Sequence, residues 1–322
     1  MFSATATAAA LESAAATLAT LGQMIVPVLL ALAASTVLAA IVPTLRRWLP
    51  TALGLLVGAL ALGEAAFVWF HLRLWQLCQV VDPATGQVTG SFAVPLWIES
   101  EKLYVWAFIL AVIALVVRRQ RAELQPALAV TAAALTIGAL LWSRPFAEPL
   151  PSFLGGYQGY LAAWASGDPG AMMGAFQSME GSRRFFYNTW YMWVHPPLLF
   201  ISYGAFVASF AATVLMIMRR HSSYEQTAYR WARFGYLPLT FGMLIGFPWA
   251  IMAWQGESWW WSGKVNMSIM MWVLYTAYLH ARLYLRHKGM WRVVAALAVL
   301  SFVALVLTYI TTYVVPGAHS VV

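Results

Sequence analysis

Apolar runs of about 20 residues recur along the whole chain, and that recurrence confines what it can fold into. A helix rises about 1.5 Å per residue, so about 20 residues cross the roughly 30 Å hydrocarbon core of a bilayer. Spans are expected at roughly 20–42, 51–72, 102–117, 126–143, 196–218, 234–254, 265–285 and 291–314. Of the 322 residues, 62% are hydrophobic and 9% charged, where an average globular domain carries about 25% charged residues. A soluble fold is therefore excluded, and the expected class is all-α: a polytopic helix bundle in a lipid bilayer, with about eight transmembrane helices. The span at 102–117 is short, and Lys102 beside it has a stem long enough to snorkel.

The formal charge of +8 does not point to nucleic acid, because the basic residues sit in short clusters between the apolar runs. One set of loops holds Arg46, Arg47, Arg118, Arg119, Arg121, Arg219, Arg220, Arg230, Arg233, Arg282, Arg286, Lys288 and Arg292. The other holds Arg73, Lys102, Arg144, Arg183, Arg184 and Lys264. The richer set is expected inside. Both termini, the 73–101 loop, the 144–195 segment and the 254–264 loop then lie on the outer, periplasm-like face of an inner (plasma) membrane. The Ala-rich start has no early Lys or Arg and reads as a tail leading into the first span. Three regions are expected: a four-span region at 1–143, an external aromatic, Gly- and Pro-rich cap at 144–195, and a second four-span region at 196–322. The cap's aromatics argue for order and against a flexible loop. Cys78 is the single cysteine and cannot form an internal disulfide. No Cys-x-x-Cys-His occurs, which excludes covalent c-type haem on this chain.

Five tryptophans, Trp249, Trp254, Trp259, Trp260 and Trp261, fall within 13 residues at an outer boundary, closed by Lys264. An aromatic belt at headgroup depth accounts for one or two per helix end. A flat apolar macrocycle held by indoles accounts for the whole run; both readings stand on composition alone. His195, before Pro196 and Pro197, is placed at the outer start of the fifth span, and His319 just beyond the eighth. Each alone reads as an interfacial residue, but two on the face of an indole-rich loop suggest axial ligands of one haem iron. His280 lies roughly 24 Å below Lys264 along the seventh span. It reads equally as an inner-interface histidine or as a second, deeper ligand. Arg183 and Arg184 are ordinary interface arginines or partners for haem propionates. Glu64 and His71, seven residues apart on one helix face, suggest a structural polar contact or a proton or quinol path.

Four motifs in order carry a resemblance. His195-Pro196-Pro197-Leu198-Leu199-Phe200, the tryptophan run from Trp249 to Lys264, Tyr278-Leu279-His280-Ala281-Arg282, and Pro316-Gly317-Ala318-His319-Ser320 resemble the haem-handling proteins of cytochrome c biogenesis. These are the CcsA/ResC type and its relatives CcmF and CcmC, which share the tryptophan-rich WWD domain. The resemblance covers about 185–322; the first four spans match no motif. It implies non-covalent, b-type haem on an external platform between His195 and His319, and a transmembrane haem at His280 whose second ligand comes from a CcsB-like partner. It implies a component of a cytochrome c synthase (haem lyase) that presents haem to apocytochrome c. Ser262 and Gly263 stand where the family motif has Asp and Pro. The alternative is a non-enzymatic haem-binding or anchoring subunit of a multihaem cytochrome c, working in quinol-linked electron transfer. A transporter or channel unrelated to haem is the third class.

Overall fold

The computed structural model describes residues 3–119, 121–254, 259–285 and 290–315. Its helices are α1 (Ala4–Ile41), α2 (Leu49–Leu77), α3 (Lys102–Arg118), α4 (Gln125–Gly138), α5 (Pro151–Ser166), α6 (Pro169–Ser182), α7 (Trp190–Arg219), α8 (Ser222–Ala253), α9 (Gly263–Ala281) and α10 (Met290–Val314). Among the described residues, seven stretches are long and apolar enough to cross a membrane, and α9 is not one of them. It has 19 residues, but Asn266, Ser268, Thr276, its tyrosines and His280 dilute its apolar character.

Two expected boundaries move. The N-terminal segment is no tail: α1 starts at Ala4 and runs 38 residues. Alanine is the strongest helix former, and the Ser3 hydroxyl caps the start by accepting from the Ala6 N–H at 3.3 Å. The fifth span starts six residues earlier than expected, which puts Pro196 and Pro197 inside α7. Pro196 has no N–H for the Met192 carbonyl four residues before it. The indole Nε1–H of Trp97 donates to that carbonyl instead, at 2.5 Å.

The chain forms two compact units, Met1–Ala111 with Ala129–Trp193, and Val112–Leu128 with Val194–Val322. In the first, α1 packs along α2. Leu53, Leu56, Leu60, Phe67, Phe70 and Leu74 are fully buried, at the three- and four-residue steps that make one apolar stripe of α2. Phe67 meets Tyr104 edge-on at 5.1 Å and Phe146 at 4.5 Å. The Tyr104 hydroxyl donates to the Leu60 carbonyl at 3.0 Å and passes so close to Gly63 that any side chain there would collide with it.

Beyond α2, this unit holds a small sheet packed on a helix. Two short antiparallel strands, β1 (Gln79–Val81) and β2 (Val88–Ser91), lie against α5. Tyr157 and Tyr160 of α5 each use one hydroxyl on both main-chain groups of one β1 residue. Tyr157 accepts from Gln79 N–H at 2.9 Å and donates to Gln79 O at 3.0 Å. Tyr160 does the same with Val81, at 2.8 and 3.3 Å. The free edge of β1 is thereby satisfied by side chains.

His71, near the end of α2, closes the unit's polar interior. Its Nδ1–H donates to the Val94 carbonyl at 2.7 Å, and its Nε2 faces both oxygens of Glu101 at 2.9 and 3.0 Å. Glu101 is fully buried. Two residues earlier, Glu99 accepts from the Ser152 and Phe153 N–H groups at the first turn of α5, at 2.8 and 3.2 Å. Glu64 has a buried Oε1 with no hydrogen-bond partner among the described residues.

Glu180 at the end of α6 accepts from Arg183 at 2.7 and 2.8 Å, from Arg184 at 2.6 Å and from Thr89 of β2 at 3.1 Å. The Arg183 hydrogen bonds hold its carboxyl down to about 2. A carboxyl depressed on folding stabilises above its unfolded value, about 4.5, and loses that contribution as pH falls toward 2. The expected size is on the order of 2 kcal/mol, because Arg184 is exposed and screened. Amide protection factors in β2 and α6, corrected for intrinsic exchange, should fall as pH is lowered between those two values, and Glu180→Gln should flatten that fall.

Candidate functional site

Part of the chemistry expected of the C-terminal half lies at one end of the second unit. There α7 begins, α8 ends and α9 begins. His195 sits in the second turn of α7, half-buried. Its ring nitrogen Nδ1 lies 2.7 Å from the Gly242 carbonyl of α8. A carbonyl only accepts, so Nδ1 carries the proton and Nε2 holds the lone pair. Nε2 has no hydrogen-bond partner among the described residues.

The other described histidines divide cleanly. His71 has both nitrogens engaged. His221 accepts the Ser223 N–H on Nδ1 at 3.3 Å as it caps α8, which leaves its proton on Nε2. His280 matches His195: Nδ1 donates to the Thr276 carbonyl of its own helix at 2.8 Å, and the ring is exposed. So His195 and His280 are the two described histidines whose Nε2 lone pair has no described partner, the tautomer a metal ligand bound through Nε2 needs. They lie toward opposite ends of the unit. His319 lies outside the described residues.

One tryptophan lies beside His195, and others pair among themselves on α8 and the turn after it. Trp249 is 6.2 Å from the imidazole by ring centroids, and Trp254 meets Trp249 edge-on at 4.8 Å. Trp259 stacks on Trp260 at 3.9 Å, and Phe247 reaches these two at 6.3 and 5.6 Å. Phe247 was not singled out from the sequence; its place one turn beyond Met243 on α8 gave no chemical signal. Trp261 is 81% exposed and stands apart as an outward-facing ring. A belt orders indoles separately at headgroup depth; here four of the five also contact another ring of the group. Residues 255–258, between them, lie outside the described residues.

Ser262, where an aspartate was expected, caps α9. Its hydroxyl accepts from the Val265 N–H at 3.3 Å, a position where Ser and Asp serve alike. Lys264 follows in the first turn of α9, close enough for its charge to act on the His195 ring. Beside Gly263 lies Val315 of the chain's C-terminal end: a Cβ on Gly263 would sit 3.2 Å from Val315 Cγ1.

Arg183 and Arg184 belong to the first unit and are both bound to Glu180. The Arg183 side chain is 15% exposed and that of Arg184 is 67% exposed. At the opposite end of the second unit, Arg282 donates to buried Glu225 at 2.9 Å and lies 4.0 Å over the Tyr229 ring. Among the described residues, no group of three or more His, Cys, Asp or Glu side chains is arranged to hold a bare metal ion. An imidazole nitrogen amid large aromatic faces suits a macrocycle that brings its own four nitrogens and needs only axial ligands.

The chain is 33% identical over 111 residues to the cytochrome c biogenesis protein CcsA of Gloeobacter violaceus, covering 34% of this chain and 32% of that protein. It is 30% identical over 113 residues to a probable cytochrome c-type biogenesis protein, NrfE, of Escherichia coli, covering 33% and 20%. It is 33% identical over 91 residues to the cytochrome c-type biogenesis protein CcmF of Escherichia coli, covering 27% and 14%. The chain thus spans a third or less of the length of these relatives. No solved structure matches it. The family described as Cytochrome C assembly protein matches residues 96–319, most of the 322, and the chain belongs to that family.

Proposed function

We propose that this chain is a multi-pass inner-membrane protein that binds haem non-covalently at the aromatic end of its second unit. It presents that haem to apocytochrome c for cytochrome c maturation. The observation that carries this reading is the His195 ring: proton fixed on Nδ1, lone pair on Nε2, beside Trp249, which in turn meets Trp254. His319 is the second axial ligand. In support, Val315 lies beside Gly263, and four residues reach at most about 14 Å, so the C-terminal segment has the length to return to the cluster. The distribution of Lys and Arg puts this end outside. When bound, haem supplies the iron and the vinyl groups. The chain's residues would orient the ring, exclude water and hold its charge: the indoles would pack against it and Lys264 would neutralise a propionate.

His280 is proposed as the inner ligand. Its exposed ring faces away from the chain's own core, which suits a second ligand supplied by a CcsB-like membrane partner.

The reading is tested by expressing the chain, with and without a CcsB-like partner, in a bacterial host lacking its own maturation system. Covalent holocytochrome c is the expected product in at least one arm. A stable complex with a multihaem cytochrome and no holocytochrome in either arm would overturn the reading in favour of an anchoring subunit.

A further inference from the structure

We propose that Gly242 and Gly246 of α8 are positioning residues for His195: they set its ring orientation and its tautomer before any haem arrives. This rests on the reading of His195 as an axial ligand. Three α7 side chains each donate to an α8 carbonyl: His195 to Gly242, Ser202 to Gly235 at 2.7 Å, and Ser209 to Ala228 at 2.8 Å. Each rung steps seven residues forward on α7 and seven back on α8. That repeat is the seam of two antiparallel helices in left-handed packing, so the helices cannot slip by one residue without breaking all three bonds. His195 is the outermost rung.

Gly242 supplies the acceptor. A carbonyl has two lone pairs; the helix takes one and the His195 Nδ1–H takes the other. Gly246, one turn further, supplies the space. A Cβ there would lie 2.6 Å from His195 Cε1, 2.8 Å from Nδ1 and 3.4 Å from Nε2. The imidazole therefore rests on bare backbone, and any side chain at this position displaces the ring from the carbonyl that fixes its proton. Freed from that carbonyl, the ring can turn and protonate Nε2, the one nitrogen a metal would use. Loss of a partner that orients a metal-bound histidine lowers affinity by about 10–100-fold.

The test uses full-length protein with nitrogen-15-labelled histidine, first free of haem. The His195 signal, assigned by its loss in His195→Gln, should be that of an Nδ1–H imidazole. In Gly246→Ala it should move toward the Nε2–H form, and titrated haem should bind about 10–100-fold more weakly. An Nε2–H tautomer in the unaltered protein would overturn the proposal whether or not the variant folds. So would an unchanged tautomer and haem affinity in Gly246→Ala. If the unaltered protein shows the Nδ1–H form, shifts on Gly246→Ala, and binds no haem, the positioning stands and the reading of His195 as a haem ligand fails.

Discussion

Replacing Glu101 with alanine is expected to cost the protein about 3–5 kcal/mol, the largest stability loss of any single change considered. The carboxylate is fully buried, and both its oxygens lie within 3.0 Å of His71 Nε2. Truncation leaves a buried imidazole nitrogen without the partner that satisfied it. The loss should extend beyond the pair. Glu101 follows the segment whose Val94 carbonyl binds the same histidine, and Glu99 caps the start of α5. Amide exchange at the first turn of α5 should therefore quicken along with the fall in overall stability, both read in detergent. The double replacement His71→Leu with Glu101→Leu should recover most of the loss, because an apolar pair of similar volume has no charge to desolvate. It should fall short by about 1 kcal/mol, since the Val94 carbonyl loses its donor. A loss below about 1 kcal/mol in Glu101→Ala would mean that the pair is wet and not the closed contact described.

The spans were legible because a bilayer leaves a chain so few solutions: an apolar run of the right length has to be a helix. Their ends were less legible, since an end depends on what else can satisfy the backbone. Pro196 and Pro197 read as a helix start, yet α7 begins six residues earlier because Trp97, 95 residues before Met192, donates to the carbonyl that Pro196 leaves open. The β1–β2 pair was invisible for a similar reason. Strands of three and four residues carry no periodic signal, and β1 is completed by Tyr157 and Tyr160 from α5. Arg183 and Arg184 stand three and four residues after Glu180, the spacing of helical ion pairs, so their engagement was readable although they were singled out for another partner.

At the candidate site, the residues with distinctive chemistry were legible and their supports were not. His195 and the indoles stand out by type and density. Ser202, Ser209, Gly242 and Gly246 look like ordinary small residues of membrane helices. Their one sequence signal is a seven-residue step from His195 on α7 matched by the same step on α8, which is meaningful only once the two helices are known to face each other.

Replacing His195 or His319 with alanine should have the largest functional effect. On the proposed reading each change removes a bond to iron, so the loss in haem affinity should exceed the roughly 100-fold upper range for residues that merely orient a ligand. It should leave α7 and α8 paired, since Ser202 and Ser209 keep two of the three rungs. His280→Ala should spare this external haem altogether, as it lies toward the other end of the unit. The most direct measurement is the absorption and electron paramagnetic resonance spectrum of the purified, haem-loaded protein, taken for the unaltered chain and for both single variants. The unaltered chain should give a six-coordinate, low-spin, bis-histidine signal, and either variant should give a five-coordinate, high-spin one. A low-spin signal that survives unchanged in His195→Ala or in His319→Ala would contradict the claim that these two imidazoles share one iron.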